Sequence, residues 1–114
     1  MDLLPLYGLL FGVLIGLLTS LRLPVGYADY MAIGILAALD SVFGGLRAGL
    51  EGKFDGQIFL SGFFVNTLLA ALLTYVGYKL GVDLLMGATV AFSIRLFTNV
   101  GIIRRYLVKR SSIQ

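Results

Sequence analysis

The sequence predicts an all-α integral membrane bundle of four transmembrane helices. Three observations lead there. First, residues of the AVILMFWYC set make up 59% of the 114-residue chain and charged residues only 13%, about half the roughly 25% of a soluble domain. A soluble domain this small leaves much of its surface exposed and could not hide so much apolar material. Second, the apolar residues fall into four stretches near the length that crosses a hydrocarbon core, about 20 residues. Third, Lys and Arg collect on one side of the resulting map, the pattern that orients membrane proteins. The length fits one domain, 1–114.

The first stretch, 3–21, carries no charge. A signal peptide would have Lys or Arg ahead of its apolar run and a small-residue cleavage site after it. Here Asp2 precedes the run and Arg22 and Pro24 follow, so a retained helix is expected. The second stretch, 27–46, is interrupted by Asp29 and Asp40. The third, 57–78, has no charge, and the fourth, 82–103, contains Asp83 and Arg95. Short connectors join them, and a basic tail, 104–114, follows. The alternative is three spans, with the first stretch lying differently.

With four spans, Arg47, Lys53, Arg104, Arg105, Lys109 and Arg110 share one side, and only Arg22 and Lys79 lie on the other. The positive-inside rule then places both termini in the cytoplasm. Arg104, Arg105, Lys109 and Arg110 are expected to meet anionic lipid headgroups, in preference to nucleic acid. Trp is absent, and all six Tyr residues fall near the expected interfaces.

Lipid tails are as apolar as leucine, so helices in a bilayer associate through close packing and polar contacts. Small residues recur every four positions in two places: Gly8, Gly12, Gly16 and Ser20, and then Ala37, Ser41, Gly45 and Gly49. A shorter stripe, Gly87 and Ala91, leads on to Arg95 and Asn99. Two readings of these helix-packing seams stay open. They pack spans 1 and 2 within one protomer, or they join protomers in a homo-oligomer.

With the outer interface expected near Ala28 for span 2 and near Asp83 for span 4, Asp40 and Arg95 each lie twelve residues inward, roughly 18 Å at 1.5 Å per residue. Asn66 falls at a similar depth, Arg47 follows Asp40 on the same face, and Asn99 follows Arg95 by one turn. An intramembrane polar cluster of Asp40, Asn66, Arg95, Asn99 and Arg47 is therefore expected. Charge at that depth is costly and points to pairing or function. The structural reading is an ion pair that sets how spans 2 and 4 meet. The functional one is a proton relay, an ion site or a partner-binding charge.

The chain has no His and no Cys. That excludes Ser-His-Asp and Cys-His catalysis and every imidazole or thiolate metal site. One carboxylate beside an arginine is a poor trap for a hard cation. Glu51 and Asp55, in the middle connector, are expected to be solvated. No catalytic residue, cofactor or metal is expected, and the chain is not expected to be an enzyme.

Four segments, AALDSVFGGLRA (37–48), FLSGFFVN (59–66), LGVDL (80–84) and RLFTNVGIIRR (95–105), carry a resemblance that spans nearly the whole chain. They resemble the bacterial small basic protein family, short membrane proteins of unknown biochemical activity. Asp40, Arg47, Asn66, Asp83, Arg95 and Asn99 all fall within them, and the resemblance assigns none of them a catalytic role. It implies a bacterial plasma membrane location and, through the neighbourhood of the family's genes, a link to cell division or envelope assembly. The expected function is binding of lipids and other membrane proteins in the plane of the membrane. The alternative is a small transporter or transporter membrane subunit that acts as an oligomer.

Overall fold

The structure is a computed structural model that describes residues 3–20, 22 and 24–113, the last four as backbone only. Asp2, Leu21 and the Arg110 side chain lie outside the described residues. Four helices form the bundle: α1 (Leu4–Leu18), α2 (Ala28–Leu50), α3 (Gly56–Leu80) and α4 (Leu84–Ile113), with a short 3-10 turn, Val25–Tyr27, leading into α2. Among the described residues there is no strand.

Three helical segments, Val25–Leu50, Gly56–Leu80 and Leu84–Lys109, are long and apolar enough to cross a membrane. Helix α1 is shorter. Its 15 residues reach about 22 Å at 1.5 Å per residue, against a hydrocarbon core of about 30 Å. It stops at Leu18 because Thr19 turns to extended backbone, φ −97° and ψ 139°. Thr and Ser hydroxyls compete for nearby backbone groups and make both residues weak helix formers. At the other end the basic tail is helical as far as it is described, because 104–113 continues α4. That segment contains no Gly or Pro, and its Arg, Leu and Lys residues favour helix.

Side-chain contacts define the topology. Asp40 meets Arg95 and Gly44 meets Asn99, so α2 and α4 run parallel. Tyr30 meets Tyr78 and Gly45 meets Phe59, so α3 runs antiparallel to both. Pro5 of α1 lies against Gly45. The first turn of α1, the end of α2 and the start of α3 therefore share one end, the lower end. The start of α2 and the α3–α4 turn form the upper end.

Each connection has a local cause. Asp55 caps α3, its Oδ1 accepting from the N–H groups of Gln57 at 2.9 Å and Ile58 at 3.2 Å. Such a cap satisfies donors that the first helical turn leaves without partners. Helix α3 ends at Gly81 in the left-handed region, φ 70°, a conformation glycine adopts without steric penalty. The chain then folds back so closely that a Cβ on Gly77 would lie 2.7 Å from the Val82 carbonyl oxygen. Asp83 Oδ1 accepts from the Met86 N–H at 3.0 Å and starts α4. Glu51 and Asp55 thus cap different helices, Glu51 the end of α2 and Asp55 the start of α3. Asp55 is exposed as expected, whereas Glu51 is half-buried and lies 3.6 Å from Arg47.

Burial is uneven along the bundle. In the upper half, Ile33, Ala37, Ala70, Ala88 and Phe92 form a core flanked by Leu36, Leu73 and Leu85. The alanines let the three backbones approach. Below Ala70 no residue of α3 is buried.

Candidate intramembrane polar site

Helices α2 and α4 meet through two polar links. In the first, Arg95 Nη2 lies 3.3 Å from Asp40 Oδ2. The Asp40 side chain is fully buried while that of Arg95 is 58% exposed. Neither Asp40 oxygen accepts a hydrogen bond. In the second, Arg47 Nη1 donates to Asn99 Oδ1 at 3.1 Å, and Asn99 is buried. A Cβ on Gly44 would lie 3.5 Å from Asn99 Nδ2. Asp40 with Arg95 and Gly44 with Asn99 stand at the same offset along the two helices, so both links hold one register. Arg47 sits one turn below Gly44. Helical side chains lean towards the N-terminus, which lets its guanidinium reach back to Asn99.

Below the core, a cleft of about 280 Å³ lies between α2 and α3, with Arg95 of α4 at its edge. Its floor is the small-residue face of α2, Ser41, Gly44 and Ala48, and Asp40, Asn66 and Arg95 also line it. Lys53 and Asp55 lie towards its lower end. The structure therefore brings Asp40, Asn66 and Arg95 to one cavity and joins Arg47 to Asn99 beside it. A second cleft, of about 360 Å³, lies between α2 and α4 and is lined by Arg47, Glu51, Arg95, Thr98 and Asn99. Two guanidinium groups face it, with one carboxylate.

The seams divide. Ala37 is in the core, Ser41 lines the cleft, and Gly49 is half-buried. Gly45 is a close approach of three helices, since a Cβ there would lie 3.0 Å from both the Phe59 ring and Pro5. The stripe on α1 does not pack on α2 in this protomer. A Cβ on Gly8, Gly12 or Gly16 would meet nothing within 4 Å, and Ser20 lies exposed beyond the helix. Pro5 is the buried residue of α1. Its ring holds the first turn, Leu6 and Leu9 are half-buried, and the helix beyond them is exposed. Gly87 and Ala91 are likewise exposed, although Asn99, on the same four-residue repeat, is buried. Four residues at 3.6 per turn overshoot a full turn by about 40°, so a four-residue stripe drifts around the helix.

Arg104, Arg105 and Lys109 are exposed on the last turns of α4. One polar contact escaped sequence reasoning. The Tyr78 hydroxyl donates to Asp29 Oδ2, and the Tyr30 and Tyr78 rings meet edge to face at 5.9 Å. Both tyrosines have an expected place at the interface, but nothing in the sequence marks Asp29, 49 positions before Tyr78, as its neighbour.

The geometry can now be set beside known proteins. Residues 23–108 match a family described as "Protein of unknown function (DUF1290)". The chain is also 47% identical over 107 residues to the "Small basic protein" of Bacillus subtilis, covering 94% of this chain and 88% of that one. The chain belongs to this family of small basic proteins. Uncharacterized proteins of Mycobacterium bovis and Mycobacterium tuberculosis are each 44% identical to it over 98 residues, covering 84% of this chain and 81% of theirs. No solved structure matches it. The matched region takes in α2, α3, the first 25 residues of α4 and every member of the polar cluster, and it begins after α1.

Proposed function

We propose that this small basic protein is a non-enzymatic protein of the bacterial plasma membrane that binds partner chains in the membrane plane. The observation that carries this reading is α1. Its first turn is tied to α2 and α3, yet among the described residues nothing lies within 4 Å of a Cβ built on Gly8, Gly12 or Gly16 of its glycine face. A glycine face lets another backbone approach closely, whereas lipid gains nothing from it. The Lys and Arg distribution supports cytoplasmic termini, and Arg104, Arg105 and Lys109 then stand where anionic headgroups lie. Family resemblance suggests division or envelope proteins as the partner class.

The test is crosslinking in living cells followed by capture from native membranes and mass spectrometry. Specific partners are expected from the wild-type chain and none from Gly12→Leu. That position has open space around it, so the variant should fold normally. Unchanged capture by Gly12→Leu would remove the basis of the proposal. Recovery of an ATP-hydrolysing transport module in place of other partners would favour a transporter subunit.

A further inference from the structure

We infer that the cleft between α2 and α4 binds the phosphate of an anionic phospholipid of the cytoplasmic leaflet, through Arg47, Arg95 and the amide of Asn99. This goes beyond the partner-binding reading, with which it shares only the orientation of the chain. It also concerns other residues than the basic end of α4.

Asn99 is held in place but only half used. It is 8% exposed, and its Oδ1 accepts from Arg47 Nη1. That bond fixes which way the carboxamide faces. Its Nδ2, beside Gly44, donates to nothing among the described residues, and Asn99 and Gly44 both line the cleft. Two guanidinium groups face the same space. Arg47 engages Asn99 through Nη1 and lies 3.6 Å from Glu51 through Nε, which leaves Nη2. Arg95 directs Nη2 at Asp40 and keeps its side chain more than half exposed. Asp40 is closed off, with both oxygens buried, and does not line this cleft. The lining therefore offers donors from three side chains and one carboxylate, Glu51, which already stands beside Arg47. A phosphate suits such a site, because its several oxygens accept from guanidinium and amide groups at once. The wider charge agrees. The lower end carries Arg47, Lys53, Arg104, Arg105 and Lys109 against Glu51 and Asp55, a field that holds an anion and repels a cation.

Depth makes a lipid the source. At 1.5 Å per residue, Arg47 lies roughly 28 Å along α2 from Ala28, against a hydrocarbon core of about 30 Å. The lower rim of the cleft therefore stands at the cytoplasmic headgroups, where phospholipid phosphate is always present. Arg95 stands higher. An exposed guanidinium there is costly in bare lipid, and a phosphate drawn in from the headgroup layer offsets that cost. Ile94, exposed and apolar on the wall of the cleft, lies where an acyl chain can run. Free phosphate would lose its hydration without that apolar gain.

The experiment uses the full chain purified in a neutral detergent. Phosphatidylglycerol, diacylglycerol and inorganic phosphate are each titrated in. Native mass spectrometry counts the bound lipid, and thermal unfolding reads the affinity. One phosphatidylglycerol per chain is expected, held at least about tenfold more tightly than diacylglycerol, the scale of one hydrogen bond to a charged group. Asn99→Asp keeps an oxygen for Arg47 and puts a carboxylate oxygen in place of the free amide, so it should abolish the preference. Thr98→Glu, at an exposed lining position, sets a tethered carboxylate in the cleft and should abolish it too. Helix content establishes that each variant is folded. Arg104→Gln with Arg105→Gln should leave the single tight lipid in place, as should Gly12→Leu. Equal retention of phosphatidylglycerol and diacylglycerol overturns the inference, as does a preference that survives either cleft variant in folded form. Inorganic phosphate that stabilises the chain as strongly as the lipid overturns the lipid source. Loss of the tight lipid in the Arg104 and Arg105 double variant moves the site to the end of α4 and overturns the cleft assignment. Because Gly12→Leu tests cellular capture and should keep the lipid, failure of partner binding and failure of lipid binding are read separately.

Discussion

The upper and lower halves of this bundle are built from similarly apolar sequence but held together differently. Above, α2, α3 and α4 close on the alanine-rich core of Ile33, Ala37, Ala70, Ala88 and Phe92. The tight turn at Gly77 and Gly81 keeps α3 and α4 together there. Below, α3 has no buried residue, a cleft opens, and two polar links hold α2 to α4. The difference shows what organises helices that are all apolar. The three long helical spans are all strongly apolar, so apolarity alone cannot choose an interface. Small residues and polar groups choose it.

Breaking the two halves separately should give effects of different size. The largest is expected below. Arg95→Met strands the buried Asp40 carboxylate and should lower stability by about 3 kcal/mol, the scale seen when a buried pair loses one partner. Unfolding of the purified protein in detergent measures this. A cost under that of the packing variant described next would mean that the polar link does not organise the lower half.

Next comes the upper half. Gly77→Ala would place a methyl group 2.7 Å from a backbone carbonyl oxygen, and overpacking of that kind costs about 2 kcal/mol. Gly62→Ala, on the lower half of α3 with open space around it, should instead be neutral or stabilising by about 0.5 kcal/mol, because alanine favours helix over glycine. Equal effects at the two glycines in the same unfolding assay would erase the contrast between a closed upper half and an open lower one.

Smaller effects sharpen the picture at single bonds. Asn99→Ala removes the acceptor of Arg47 and should cost about 1 kcal/mol, the net value of one hydrogen bond. Asp55→Ala removes the cap of α3, also worth about 1 kcal/mol. It should fray the start of α3 alone, measurable as faster amide exchange at Gln57 and Ile58. Faster exchange throughout α2 and α4 would show that the cap supports more than its own helix.

Much of this was legible in the sequence. Composition and run length determined an all-helical, apolar chain, because the polar backbone has few ways to be satisfied without water. The spacing of Asp40, Asn66 and Arg95 determined a shared depth, because rise per residue converts position into distance. Tertiary structure decided what periodicity could not. A four-residue repeat states that a close approach is available and is silent about who approaches. So Gly45 met Pro5 and Phe59, whereas the identical spacing on α1 met nothing. The extent of α1 and α4 also depended on weak local preferences at Thr19 and beyond Ile103, which apolar run length does not register. The pairing of Arg47 with Asn99 and of Tyr78 with Asp29 required the register of whole helices. That register is a property of how backbones pack, and only the folded chain specifies it.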